Sequence, residues 1–313
     1  MTQHRPMRQT IDTAPANTLR LILGDQLNPQ HPWFATVDPG VIYVLMEMRQ
    51  ETDYVLHHAQ KILAIFAAMR DLASQLTQAG HRVSYLAIDN PANTQSLTNN
   101  LSALMLQHGV ANFGYQSPDE YRLAQQLQAF CASGACRISV DSYEFDSNHF
   151  YTQRHEAAAL FAKRKQWLME HFYRHMRQRH RVLIDGADKP AGGQWNLDAD
   201  NRKPWKGTPP EPPDTRPLHD HSALWHTIEA AGVRSFGNPQ AAQSRWPLNR
   251  SEALRQLDTF ITQVLPHFGD HQDAMSAGHW RLFHSMLSFA LNTKMLNPRE
   301  VVARAEAAYR SGA

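Results

Sequence analysis

Between Leu19 and Ser142, short apolar runs alternate with longer segments of helical period, and few folds accommodate that alternation. "LRLIL" (19–23) and "VIYVLM" (41–46) are continuous apolar runs, the pattern of strands covered on both faces. "RVSYLAI" (82–88), "NFGYQ" (112–116) and "CRISVDS" (136–142) predict three more strands. Residues 54–80 predict a long helix: Leu56, Leu63, Phe66, Ala67 and Met69 recur at helical spacing, and Gly80 marks a stop. Residues 94–109 predict a second helix with Thr94 as N-cap, and a third falls near 119–132. This order predicts an α/β fold: a doubly wound, mostly parallel, five-stranded sheet with helices on both faces.

Past Tyr143 the pattern becomes helical. Residues 154–181 read as a long basic and aromatic helix, with room for an interruption. Helical patterns return near 221–231, 249–265, 279–291 and 298–311. Between them, residues 185–220 read as an extended connector, because six of the 18 prolines fall between Pro204 and Pro217. The resulting division is a polar leader (1–18), an α/β domain (19–145), a connecting helix and loop (146–220) and a helical domain (221–313).

Charge separates the halves. Residues 1–150 carry 9 Lys+Arg against 13 Asp+Glu, a net of −4, and residues 151–313 carry 22 against 16, a net of +6. The second half is therefore the one suited to an anionic partner. The first 18 residues hold no apolar signal core, and no apolar stretch approaches the roughly 20 residues that span a bilayer. Cys131 and Cys136 match neither a zinc ribbon nor a disulfide framework and suit a reducing, cytoplasmic setting.

A doubly wound sheet binds ligands beyond the carboxyl ends of its strands. Gly24, Asp25 and Gln26 sit at that end of the first strand, and Glu47, Glu51 and Tyr54 follow the second. Together they suit a small ring system with hydrogen-bonding edges, closed by the helix that carries Ile65. The competing reading makes Asp25 and Glu51 helix caps. No G-x-G-x-x-G fingerprint supports a dinucleotide there. His57-His58 and the pair His171/His175 lack a third ligand at metal-binding spacing, so no metal is assigned. Lys163, Arg164, Lys165, Arg174, Arg177, Arg179 and Arg181 interleave with Trp167, Phe172 and Tyr173. That mixture suits nucleic acid, or equally an amphipathic helix with solvated cations. "GGQWNLDADNR" (192–202) is a polar loop around one Trp. His284, Ser285 and Ser288 fall on one turn, which suits a phosphate or a simple cap.

"LILGDQL", "ETDYVLHHAQKILAIFAAMR", "RKQWLMEHFYRHMR", "GGQWNLDADNR", "FGDHQDAM" and "LFHSMLSFALNTKMLNPREVVARAEAAYRSG" occur in the same order in the deoxyribodipyrimidine photolyase-related proteins, which the chain resembles from about Leu19 to Gly312. These are the iron–sulfur bacterial cryptochromes and prokaryotic (6-4) photolyases. The resemblance implies a Rossmann-like antenna domain that holds a ribityl lumazine, with Gly24, Asp25, Gln26, Glu51, Tyr54 and Ile65 as walls. It implies a helical domain for FAD, contacted by Phe268 and by a turn, His284, Ser285, Leu287 and Ser288, that resembles the T-S-x-L-S turn of other photolyases. It implies that Gln194, Trp195 and Arg202 face damaged DNA, where relatives can carry a basic residue in place of Gln194. The implied activity is that of a carbon–carbon lyase: light-driven reversal of a pyrimidine (6-4) lesion in DNA. A blue-light photoreceptor, or a chromophore-binding module without repair, is the alternative. Family members extend further, through most of the flavin cavity and the four cysteines of a 4Fe-4S cluster. The chain is thus expected to be the N-terminal portion of such a protein, without cluster ligands, and to self-associate through helical faces in 249–311.

Overall fold

The computed structural model describes residues 15–134, 144–163, 165–198, 200–201 and 203–312. The chain divides into two compact units. The first contains the chain up to Ser147 together with His221–Ala242. The second contains Asn148–Asp220 and the chain from Gln243 onward.

The first unit is built on β1 (Thr18–Leu21), β2 (Val41–Met46), the short helix α1 (Gln50–Asp53), β3 (His57–His58), α2 (Ala59–Gln78), β4 (Arg82–Leu86), α3 (Leu97–His108), β5 (Asn112–Gln116), α4 (Tyr121–Ala132) and β6 (Glu144–Phe145). Five strands form one parallel sheet in the order β4-β2-β1-β5-β6. Leu19 stands between Ile42 and Phe113 in register, so β1 is central. Leu19, Leu21, Ile42, Val44, Phe113 and Tyr115 face Leu97, Leu101, Leu104, Leu123, Leu127 and Phe130 of α3 and α4, all of them buried. The buried stripe of α2 covers the other face. Apolar runs covered on both sides are what "LRLIL" and "VIYVLM" encode. The expected doubly wound α/β fold is the one found, with the difference that "CRISVDS" (136–142) lies outside the described residues. The described fifth strand is β6.

Three boundaries differ from the sequence reading, each through a contact that local pattern does not carry. The helix expected over 54–80 begins at Ala59, because His57-His58 is extended and pairs in parallel with Ser235–Phe236. The His58 ring nitrogen Nδ1 then caps α2 by accepting from the Gln60 N–H at 3.2 Å. The helix expected from Thr94 begins at Leu97, because the Thr94 hydroxyl donates to Asn100 Oδ1 at 2.8 Å instead of capping. Residues 221–242 carry a helix, Ser222–Ala230, that belongs to the α/β unit and not to the helical one.

One histidine gives this unit a pH dependence. His31 is buried at the start of the turn Pro32–Phe34; its Nδ1 accepts from the Trp33 N–H at 3.3 Å. Its Nε2 lies 3.0 Å from the Asp146 carbonyl and so carries the proton. Burial holds its pKa below the ordinary 6.5, against the raising effect of the Asp146 carbonyl. The unfolded chain therefore binds this proton more tightly than the fold. The stabilisation is complete above about pH 6.5 and is lost as pH falls through the depressed value. Denaturation midpoints measured from pH 7.5 to 5 should decline, and more shallowly in His31→Asn, which keeps a capping oxygen. Equal slopes would remove His31 from the account.

The second unit is helical. The long helix expected over 154–181 is interrupted, into Glu156–Phe161 and Met169–His180. The helix expected over 249–265 runs on to His271 through a π-turn, Phe260–Val264, that precedes Pro266. A proline lacks the N–H that α-spacing requires, and the wider turn absorbs the mismatch. The helix expected over 279–291 shrinks to Ser288–Asn292. Pro298–Arg310 is a full helix, with a capping box made by Asn297 and Glu300. Among the described residues no helix is long and apolar enough to cross a membrane.

Candidate functional site

In this sheet the chain leaves β1 for β2 and β4 on one side and returns to β5 and β6 on the other. The two sets of crossovers diverge at the carboxyl end of β1, and a crevice opens there. The structure has a cavity of about 270 Å³ at that point, walled by the residues after β1, β2 and β5 and by α2. Leu23, Ile62, Ile65, Phe66 and Leu123 form its apolar side. Asp25, Glu51, Asp119 and Glu120 bring carboxylates to its polar side, and His57 and Lys61 bring nitrogen.

Of the six residues expected there, five meet: Gly24, Asp25, Glu51, Tyr54 and Ile65 all line the cavity. Neither acid is a helix cap. The N-cap of α1 is Arg49, Glu51 lies inside its first turn, and Asp25 sits in a turn with no helix after it. Gly24 is explained by a close approach. A Cβ there would stand 2.9 Å from Ile65 Cγ2 and 3.2 Å from Met69 Sδ, so glycine lets the end of β1 lie against α2 without displacing Ile65.

Gln26 is a correction. It is fully buried, outside the cavity lining, and both ends of its amide are used. Oε1 accepts from the Leu23 N–H and Nε2 donates to the Gln116 carbonyl, each at 3.0 Å. Gln26 therefore ties the ends of β1 and β5 together beneath the site. Glu47, expected at the rim, is likewise fully buried and belongs to a network with Arg70 and Tyr85.

Sequence reasoning missed Arg122. It lies in the first turn of α4, where the helix dipole disfavours a cation, and that misfit was the available signal. Its guanidinium donates to Glu51 Oε2 at 2.8 Å and to Glu120 at 3.0 Å, and stands 4.3 Å from the Tyr54 ring centroid. Burial alone would lower the Arg122 pKa, but Glu51 and then Glu120 outweigh it and hold it above the ordinary value. Burial, and next Glu120, raise the Tyr54 phenol. Burial and then Lys61, whose Nζ is 3.2 Å from Nδ1, lower His57. The site presents carboxyl oxygens, an imidazole that burial biases to its neutral form and an apolar slab. That is chemistry for holding a flat ring with hydrogen-bond donors.

The second unit has a larger cavity, about 960 Å³, with mostly aromatic and aliphatic walls. Phe268 and Trp195 line it. Arg177 and Arg174 lie 5.2 and 5.6 Å from the Trp195 ring centroid. Arg177 is buried and donates to the Val182 and Leu183 carbonyls at 3.1 and 2.7 Å, so much of its hydrogen bonding is directed inward. Gln194 is exposed, and Arg202 lies outside the described residues. His284, Ser285, Leu287 and Ser288 are not in the lining of this cavity. Leu287 is buried in the core, and Ser285 Oγ accepts from the Leu287 N–H at 3.4 Å. Of the residues expected around a flavin, Phe268 lines this cavity. Among the described residues no group of His, Cys, Asp and Glu has metal-site geometry.

Residues 20–244 match the family model described as deoxyribodipyrimidine photo-lyase-related protein. The chain is 35% identical over 302 residues to a (6-4) photolyase of Agrobacterium fabrum (strain C58), an alignment covering 94% of this chain and 57% of that protein. Its fold is similar to the crystal structure of a bacterial class III photolyase from Agrobacterium tumefaciens, with a TM-score of 0.52 and 14% identity over 92% of this chain and 52% of that one. The chain spans little more than half the length of either relative.

Proposed function

The chain belongs to the deoxyribodipyrimidine photo-lyase-related family, and from that premise we propose that it serves light-driven repair of pyrimidine (6-4) photoproducts in DNA as a cytoplasmic flavoprotein. The observation that carries the proposal is the cavity at the end of β1. It lies where a doubly wound sheet takes ligands, and five of the six expected residues line it. Its occupant in this proposal is a ribityl lumazine that collects light. The ring lies on Ile62, Ile65 and Phe66, and the ribityl hydroxyls donate to Asp25, Glu51 and Glu120. At about 270 Å³ the space is near the lower bound of roughly 300 Å³ for ligand cavities, which suits one two-ring heterocycle.

FAD, when bound, supplies the photochemical electron. The single described cysteine, Cys131, is buried, and the described residues offer no ligand set for a 4Fe-4S cluster. Damaged DNA is the partner in this proposal; Trp195, with two guanidiniums near its ring, offers a stacking surface in the basic half.

One observation favours a second reading, a blue-light photoreceptor or chromophore-binding module without repair: every wall of the smaller cavity comes from the α/β unit alone. Absorption and fluorescence spectra of the freshly purified chain test both. A lumazine band with light-dependent lesion reversal supports repair. A lumazine band without reversal supports the module. A colourless folded chain that also fails to take up added ribityl lumazine contradicts both.

A further inference from the structure

The two lips of the smaller cavity belong to different crossovers. α1 follows β2 and α4 follows β5, the strands on either side of β1. Nothing in the chain's connectivity obliges the two to move together. Arg122 joins them: from α4 it donates to both Glu51 oxygens, at 2.8 and 3.3 Å, while Glu120 braces it at 3.0 Å from its own side. It also covers the Tyr54 ring at 4.3 Å. The ring's other aromatic contact is with His57, edge to face at 5.2 Å.

We propose that Arg122 is the clasp of this cavity: by holding Glu51 and Tyr54 in place across the mouth, it sets how long a ring ligand stays bound. The inference rests on the reading of the cavity as a ring-ligand site. Arg122 is a positioning residue, since it is absent from the cavity walls and acts through two residues that line it.

Three observations support a clasp over a plain structural pair. First, the Arg122 side chain is 34% exposed and Glu51 27%, so the pair adds little to global stability and can open without unfolding. Second, a parallel tie survives its loss: Gln50 Nε2 donates to Gln126 Oε1 at 2.8 Å, holding α1 beside α4. Third, Tyr54 is half exposed, so with the guanidinium gone its ring is held on one edge only.

The test loads the purified chain with a ribityl lumazine and follows its release by fluorescence after dilution into competitor. Arg122→Met should raise the dissociation rate about tenfold and leave the association rate within about twofold, because a mouth contact acts on exit more than on encounter. Its unfolding midpoint should stay within about 2 °C of the parent. Arg122→Lys should recover part of the residence time, since an ammonium keeps one carboxylate contact and loses the fork and the stacking. Without ligand, amides 51–56 should exchange hydrogen faster in Arg122→Met. Equal dissociation rates, or unchanged exchange at 51–56, would overturn the clasp and leave the ligand site standing. Failure of the parent chain to bind the lumazine at all would overturn the ligand site and the clasp with it.

Discussion

Glu47→Ala is expected to lower the thermal midpoint of the α/β unit by about 10 °C. The Glu47 carboxylate is fully buried and takes four hydrogen bonds. Arg70 donates through Nε at 2.6 Å and Nη2 at 3.0 Å, the Tyr85 hydroxyl at 2.6 Å, and the Ile88 N–H at 2.8 Å. The Asn93 amide donates to its backbone carbonyl at 2.6 Å. One side chain thus joins the ends of β2 and β4 to α2. Burial, and then Glu47 itself, push the Tyr85 phenol far up, and Glu47 raises Arg70. Removing one partner of a buried pair costs about 3–5 kcal/mol, because the groups left behind lose their partners. The Arg70 side chain is 38% exposed and can turn to water, which places the loss near the lower end. A unit of this size shifts by about 2–4 °C per kcal/mol. Arg70→Met should be comparably damaging, since it leaves the enclosed Glu47 carboxylate without its two guanidinium hydrogen bonds. Differential scanning calorimetry reads both; a Glu47→Ala midpoint within 2 °C of the parent would show that the network carries no net stability.

Gly24→Ala should separate binding from folding. The added methyl meets Ile65 Cγ2 at 2.9 Å, closer than carbon atoms tolerate, so Ile65 must move. Ile65 is only partly buried, and the space beside it is the cavity itself. The strain on the fold should therefore stay near 1 kcal/mol, the low end for an overpacked site. Affinity for a ribityl lumazine should fall at least tenfold, about 1.4 kcal/mol, because the displaced side chain takes the ring's place. The double variant Gly24→Ala/Ile65→Ala removes the clashing branch and should recover part of that loss. Fluorescence titration of the three proteins decides the matter, and undiminished affinity in Gly24→Ala would dissociate this glycine from the site.

How much of this was legible in the sequence depends on the range over which each signal acts. The strands β1 and β2 were readable because burial on both faces leaves an uninterrupted apolar run, a property of each segment by itself. A crevice was to be expected at the end of β1, where a cavity is found, because doubly wound topology follows from the β/α order, and topology fixes which strand ends meet. Gly24 could be seen as a position of close approach, though not what it approaches. Gln26 and Glu47 were misplaced because sequence shows that a polar residue stands at a strand end, not whether its partners lie in solvent or beneath the sheet. Gln26 finds the Gln116 carbonyl 90 positions away and Glu47 finds Tyr85, 38 away; both turn inward to satisfy those groups. The break at His57-His58 depends on a strand at Ser235–Phe236. Arg122 reaches Glu51 across 71 residues. The sequence alone determined the class of fold, the order of the elements and the strand end that carries the cavity, because those follow from local periodicity and chain order. The tertiary structure decided which polar residues face the cavity, which lock the sheet and which one clasps the mouth, because a hydrogen bond is assigned by distance in space.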